Sequence, residues 1–260
     1  MKQQDAARAV LIEVMNVLGA FKDDIVIVGG WVPDLTYPDK KHIGSLDVDL
    51  AIGPNAVGED VYNSILNRLT ESNYAHHTAP TRFVRKVPDA SEPVKVDLIS
   101  GEYVTEGDKT RAIMVDALKI NSLRGIDLAF ENCKEITIEG KMPNGSTNVV
   151  KAKIVSPEAF LLIKAFALDE RNKAKDAYDI AFVLQHYEPS IEALAEDLKP
   201  IVQDRLGAEA LQILRDKFRT LDSIGPVNAA AVAEENGADR EQEQQAAFQN
   251  AVALFEALAE

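Results

Sequence analysis

"SLDVDLAI", residues 45–52, decides how this chain reads. Leu46, Val48, Leu50 and Ile52 alternate with Asp47, Asp49 and Ala51, which is the period of a β-strand. Asp47 and Asp49 then share one face, their Cα atoms roughly 6.6 Å apart. Two carboxylates that close repel unless water or a cation stands between them. The apolar neighbours predict a central strand, where stray charge is costly. A hard divalent cation such as Mg²⁺ takes oxygen ligands of this kind.

Three other stretches bear on the same chemistry. Upstream, "DIVIVGG" (24–30) is a short apolar run closed by Gly29 and Gly30, a buried strand and a tight turn. Glycines there let a backbone approach a phosphate with its N–H groups. Downstream, "VKVDLI" (94–99) places Asp97 between apolar residues on a further strand, a third carboxylate for a site holding two metals. Further on, "KAFALDERNKAKDAYDI" (164–180) sets Lys164 in an apolar helix, followed by Arg171, Lys173, Lys175, Asp176 and Asp179. Lys164 suits a polyphosphate, and Asp176 and Asp179 suit a cation or a lysine. Arg171 and Lys173 read more simply as a solvated face. The histidines at 76, 77 and 186 lack metal-ligand spacing, and no Walker or GxSxG motif occurs.

The 260 residues suffice for one large domain or two small ones. No apolar run is long enough for a membrane helix, and the N-terminal stretch has amphipathic spacing at Val10, Leu11, Val14 and Leu18. The single cysteine, Cys133, makes no internal disulfide; together these predict a cytoplasmic protein with no membrane partner. A net charge of −14 argues against a general nucleic-acid coat. "TRFVRKV" (81–87) with Lys95 is a local basic cluster on this acidic chain.

The organisation predicted is α+β: a mixed sheet with flanking helices over residues 1–150, then a helical domain over 151–260. Strands are expected at "TRFVRKV", "VKVDLIS", "IDLAF", "KEITIE" and "VVKAKIV", the first two joined through "PDASEP". Helices begin at Ser156, an N-cap followed by Pro157, and continue through "KAKDAYDIAFVLQHY", "SIEALAEDLKPIV", "AEALQILRDKF" and the last 20 or so residues.

Taken in order, these pieces resemble the nucleotidyltransferase superfamily that shares the polymerase-β-like catalytic domain. "IVIVGG", the sixteen residues between Gly30 and Asp47, "LDVDL" and "VKVDLI" carry that likeness over residues 25 to 100. "SPEAFLLIKAFALDERNKAKDAYDI" is similar to the Lys…Arg…Lys-Asp-x-x-Asp block of AbiE-type and MenT-like toxins. Those toxins often carry Arg-x-Thr before Asp-x-Asp; here Ile43 and Ser45 stand there, with Lys41 and His42 just upstream.

The resemblance implies transfer of a nucleoside monophosphate from an NTP to an acceptor, with release of pyrophosphate. Asp47, Asp49 and Asp97 would hold two Mg²⁺ ions. Gly29, Gly30 and Ser45 would hold the triphosphate, Lys164 would stabilise its charge, and Asp176 would support the site. The expected acceptor is the 3′ end of tRNA, in a toxin paired with an antitoxin or acting in phage defence. A protein or an aminoglycoside-like small molecule as acceptor, or a non-catalytic relative, are the competing readings.

Overall fold

The computed structural model describes residues 1–57, 59–77, 81–102, 112–115 and 118–259. The architecture is mixed α+β, and the chain divides into two compact units: Met1–Val32 with Gly44–Val155, and Pro33–Ile43 with Ser156–Glu260.

The first unit is built on β1 (Ile25–Val28), a run of four buried β-branched residues. Such a run has no polar face, so both its sides are covered. It pairs antiparallel with β2 (Val48–Ile52) and parallel with β9 (Thr147–Val155). With β3 (Ala75–His76), β4 (Arg82–Arg85), β5 (Val94–Ser100) and β8 (Cys133–Lys141) they form a seven-stranded sheet, in the order β3-β4-β5-β2-β1-β9-β8. α1 (Gln3–Val17) packs on this sheet through Val10, Leu11 and Val14, all fully buried, and α3 (Glu59–Glu71) contributes Tyr62, Ile65 and Leu69 to the core. A two-stranded sheet, β6 (Ala112–Val115) with β7 (Leu118–Asn121), completes the strands described.

Two local expectations are corrected. The strand of the opening stretch begins at Val48, and Leu46 is 55 % exposed. The Trp31 indole N–H donates to the Asp47 carbonyl at 3.0 Å, so that carbonyl has a partner outside any ladder. The β1 ladder also ends at Val28 opposite Asp49, so residues 45–47 have no ladder partner on β1. "IDLAF" is not a strand: Gly125 at φ +85° turns the chain, and α4 (Leu128–Glu131) forms one helical turn against β1 and β9. The 31–44 loop contains one short helix, α2 (Trp31–Thr36).

The second unit is helical: α5 (Pro157–Arg171), α6 (Ala174–His186), α7 (Ile191–Leu198), α8 (Arg205–Lys217), α9 (Ile224–Glu235) and α10 (Arg240–Ala257). Ser156 caps α5, its hydroxyl accepting the Ala159 N–H, with Pro157 in the first turn. Asn172 ends it in the left-handed region, as a C-terminal cap does. α6 packs against α5, α9 and α10. α9 was not visible in the sequence pattern; "IGPVNAAAVAEE" buries Ala229, Ala230 and Ala233, and its Pro226 falls in the first turn, where a missing N–H costs nothing. Among the described residues no helix is long and apolar enough to cross a membrane.

Candidate active site

In the first unit, strand register assembles a row across the sheet. Val28 lies beside Asp49, Asp49 beside Asp97, and Asp97 beside Arg82, on β1, β2, β5 and β4 in turn. Lateral neighbours in a sheet share a face and sit about 4.8 Å apart. The parallel pairing of β2 with β5 therefore sets two carboxylates side by side in the middle of the sheet. At an effective dielectric of about 20 and about 5 Å, their repulsion is about 3 kcal/mol. Positive charge on the row offsets that repulsion.

Gly29 completes the row's edge. Its φ is +72°, and a Cβ there would overlap the Asp49 carboxylate, whose Cγ would be 2.7 Å away. The Gly-Gly turn and the aspartate strand of the sequence thus meet at one point. Gly30 follows in the same turn and is buried. Gly44, also at φ +72°, sits against Gln4 and brings the chain to half-buried Ser45 and then Asp47.

The chain's own cations lie on the carboxylates. Arg82 grips Asp97 with both prongs, Nε to Oδ1 and Nη2 to Oδ2, each at 2.7 Å. This bond to Asp97, with further attraction from Asp47 and Asp49, raises the Arg82 pKa above its ordinary value. Lys95 Nζ lies 3.8 Å from Asp47 Oδ1, both side chains partly exposed. As placed, no three His, Cys, Asp or Glu side chains among the described residues form a metal-holding group. The donor set nevertheless suits a hard cation: it offers only carboxylate oxygens, and a guanidinium already stands as a cation against one of them.

The basic cluster read from "TRFVRKV" resolves into internal pairs. Besides Arg82, Arg85 binds Glu13 of α1 through Nε at 2.7 Å and Nη2 at 3.0 Å, and the Tyr74 hydroxyl donates to the same carboxylate. Lys86 is exposed. The sequence missed the Arg82–Asp97 pair, although a hairpin folded at residues 86–93 sets the two opposite each other.

The second unit holds Lys164 and Asp176. Lys164 is 5 % exposed, with its Nζ 2.7 Å from both Asp176 Oδ1 and Asp179 Oδ2. Burial works against its charge, and the two carboxylates more than offset that, leaving its pKa above the ordinary lysine value. Arg171 donates to both oxygens of Asp176, and Lys175 donates to Asp179 at 2.8 Å. Burial pushes both aspartates up, and these cations pull them net below the usual carboxylate range. His42 joins from the Pro33–Ile43 segment, its Nε2 3.0 Å from Asp179 Oδ1. Burial lowers the His42 pKa despite that bond. Nothing in "DKKHIG" marks His42 as buried; a run of charged neighbours reads as surface.

Asp47, Asp49, Asp97, Gly29, Gly30 and Ser45 thus belong to the first unit, and Lys164 and Asp176 to the second. A cavity of about 190 Å³ in the second unit, walled by Tyr178, Phe182 and His186 of α6, contains none of them.

Residues 44–259 match the family described as the nucleotidyl transferase AbiEii toxin of type IV toxin–antitoxin systems, and the chain belongs to that family. The match agrees with the resemblance read from the sequence and spans the three aspartates, Lys164 and Asp176; Gly29 and Gly30 precede it. No curated protein matches the chain. A solved structure described as "Crystal structure of putative nucleotidyltransferase from H. pylori" is similar over 97% of this chain and 96% of its own, at 16% identity and a TM-score of 0.43.

Proposed function

We propose that this protein transfers a nucleoside monophosphate from an NTP to an acceptor hydroxyl with the help of Mg²⁺. The observation that carries the reading is the Gly29–Asp49–Asp97 arrangement at the centre of the sheet, in a chain of a nucleotidyltransferase family. Asp47, Asp49 and Asp97 would hold the ions. Bound there, Mg²⁺ supplies positive charge to the polyphosphate and acidity to the acceptor hydroxyl. The acceptor oxygen forms a bond to the α-phosphorus, the bond to the β-phosphate breaks, and pyrophosphate leaves. The hydroxyl proton passes to a carboxylate of the row.

The chain's own part is to place these groups. Gly29 keeps the Asp49 carboxylate against the β1 turn, Trp31 fixes the Asp47 backbone, and Ser45 with the Gly29-Gly30 backbone would contact the triphosphate. Lys164 would stabilise phosphate charge only by giving up part of its bonding to Asp176 and Asp179, so Asp176 would set how freely it does so.

For the acceptor, the 3′ end of tRNA in the cytoplasm is our first choice, on family grounds, with a cognate antitoxin as the protein's counterpart. Incubating the protein with each α-labelled NTP, Mg²⁺ and separate pools of tRNA, protein and small molecules tests this. Label on tRNA that is lost in Asp49→Asn and with chelator is expected. Label on protein or small molecules would move the acceptor, and no label or pyrophosphate in any pool would overturn the reading.

A further inference from the structure

Arg82 is placed oddly for a residue on a basic strand. It lies in the same lateral row as Asp49 and Asp97, directly opposite Asp97 across the β4–β5 ladder. Both its prongs are committed to one carboxylate at 2.7 Å, in the fork geometry that makes arginine–carboxylate pairs strong. Its side chain is 37% exposed and that of Asp97 17%, so the pair sits at the edge of solvent and the guanidinium has room to leave. Asp47 and Asp49 attract it as well, so it answers to all three proposed metal ligands.

We propose that Arg82 is the resident counter-cation of this site: it occupies Asp97 until a divalent cation displaces it, and thereby weakens uptake of that cation. The inference rests on reading the three aspartates as a metal site. The physical case is charge balance. Asp49 and Asp97 stand side by side, and a cation on the row offsets their repulsion at the central strands of the first unit. Arg82 supplies it from within the chain. A divalent ion that takes both oxygens of Asp97 cannot share them with a bidentate guanidinium, so binding of the ion includes the cost of breaking that pair. Lys95 cannot fill this role equally: at 3.8 Å from Asp47 and 41% exposed, it is a loose neighbour.

The test is direct Mn²⁺ binding to the full chain, read from the electron paramagnetic resonance signal of free Mn²⁺ at low salt, without nucleotide. Wild type is compared with Arg82→Gln, Arg82→Lys and Asp49→Asn, and circular dichroism verifies each fold. Arg82→Gln is expected to bind Mn²⁺ tighter by about tenfold, the effect of removing one charge a few ångströms away. Arg82→Lys keeps the charge without the fork and is expected to fall between them, while Asp49→Asn binds more weakly. Tight binding by Arg82→Gln with none by wild type supports the proposal even more strongly. If wild type binds, Asp49→Asn does not, and Arg82→Gln is equal or weaker, the proposal is wrong and the metal site stands. If neither wild type nor any Arg82 variant binds, the metal reading itself fails and takes this inference with it. Should Arg82→Gln not fold, the same comparison is made on Arg82→Lys.

Discussion

Gly29 has no side chain, and the Asp49 carboxylate lies in the volume one would need. Its φ of +72° adds a backbone penalty for any L-residue of about 1–2 kcal/mol. Gly29→Ala is therefore expected to lower stability by about 2 kcal/mol or more in urea denaturation. An unchanged midpoint would mean that Asp49 does not lean on the turn. The same scale shows which parts of the site were legible. Asp49 and Asp97 could be read because each stands between apolar neighbours on a strand of the sheet, where a charge is costly without a partner. Leu46 could not be placed, because alternation continues across a chain that leaves the sheet at Asp47 when Trp31 takes its carbonyl. His42 could not be found, because its burial comes from a partner 137 residues away.

At the scale of elements, α5 and α6 are joined by charge as well as by packing. Lys164 on α5 meets Asp176 and Asp179 on α6, with Arg171, Lys175 and His42 around them. Removing one partner of a buried pair typically costs about 3–5 kcal/mol, because the other charge is left uncompensated. Lys164→Met is expected to destabilise by that amount at pH 7.5, so activity lost in this variant speaks for a chemical role only after its fold has been verified by denaturation. The pH dependence has a definite sign. Asp176 and Asp179 have folded pKa values below their unfolded ones, so their contribution is complete above about pH 4 and lost as pH falls through the folded values. The Lys164 contribution, with a raised folded pKa, is complete below about pH 10.5 and lost only as pH rises through the higher folded value. His42 behaves differently: its folded pKa lies below 6.5, so the unfolded chain takes up the proton first as pH falls. Wild type is therefore expected to lose stability between pH 7.5 and 5, by at most about 1.4 kcal/mol per unit from this one group. Equilibrium unfolding at the two pH values should show a smaller difference in His42→Gln; an equal difference would remove His42 as the cause. The helix α9 shows the limit of pattern reading at this scale: a run of alanines has no apolar stripe to detect, and its packing against α6 and α10 makes it a helix.

For the whole molecule, the decisive quantity is charge. The chain carries 28 basic and 42 acidic side chains, and the local basic cluster at 81–87 is largely consumed internally, Arg82 by Asp97 and Arg85 by Glu13. Affinity for nucleic acid without sequence preference comes from phosphate neutralisation and counterion release, which this surface has little means to supply. Random-sequence RNA is accordingly expected to bind more weakly than about 10⁻⁴ M at physiological salt in a filter-binding assay. If tRNA is the acceptor, its recognition must then rest on a few contacts near the reacting end. This changes which substitutions are informative. The Arg85 side chain is 18% exposed and its Glu13 partner 13%, so Arg85→Glu sets two carboxylates together beside the Tyr74 hydroxyl. We expect it to destabilise the first unit by about 3 kcal/mol or more, whatever it does to RNA. Lys86 is exposed, and Lys86→Glu is expected to leave the urea midpoint within about 0.5 kcal/mol of wild type. A drop in tRNA labelling in Lys86→Glu with an unchanged midpoint would locate the acceptor on this side of β4. Unchanged labelling would remove the β4 strand from the RNA path, because its two arginines are already held by carboxylates of the protein itself.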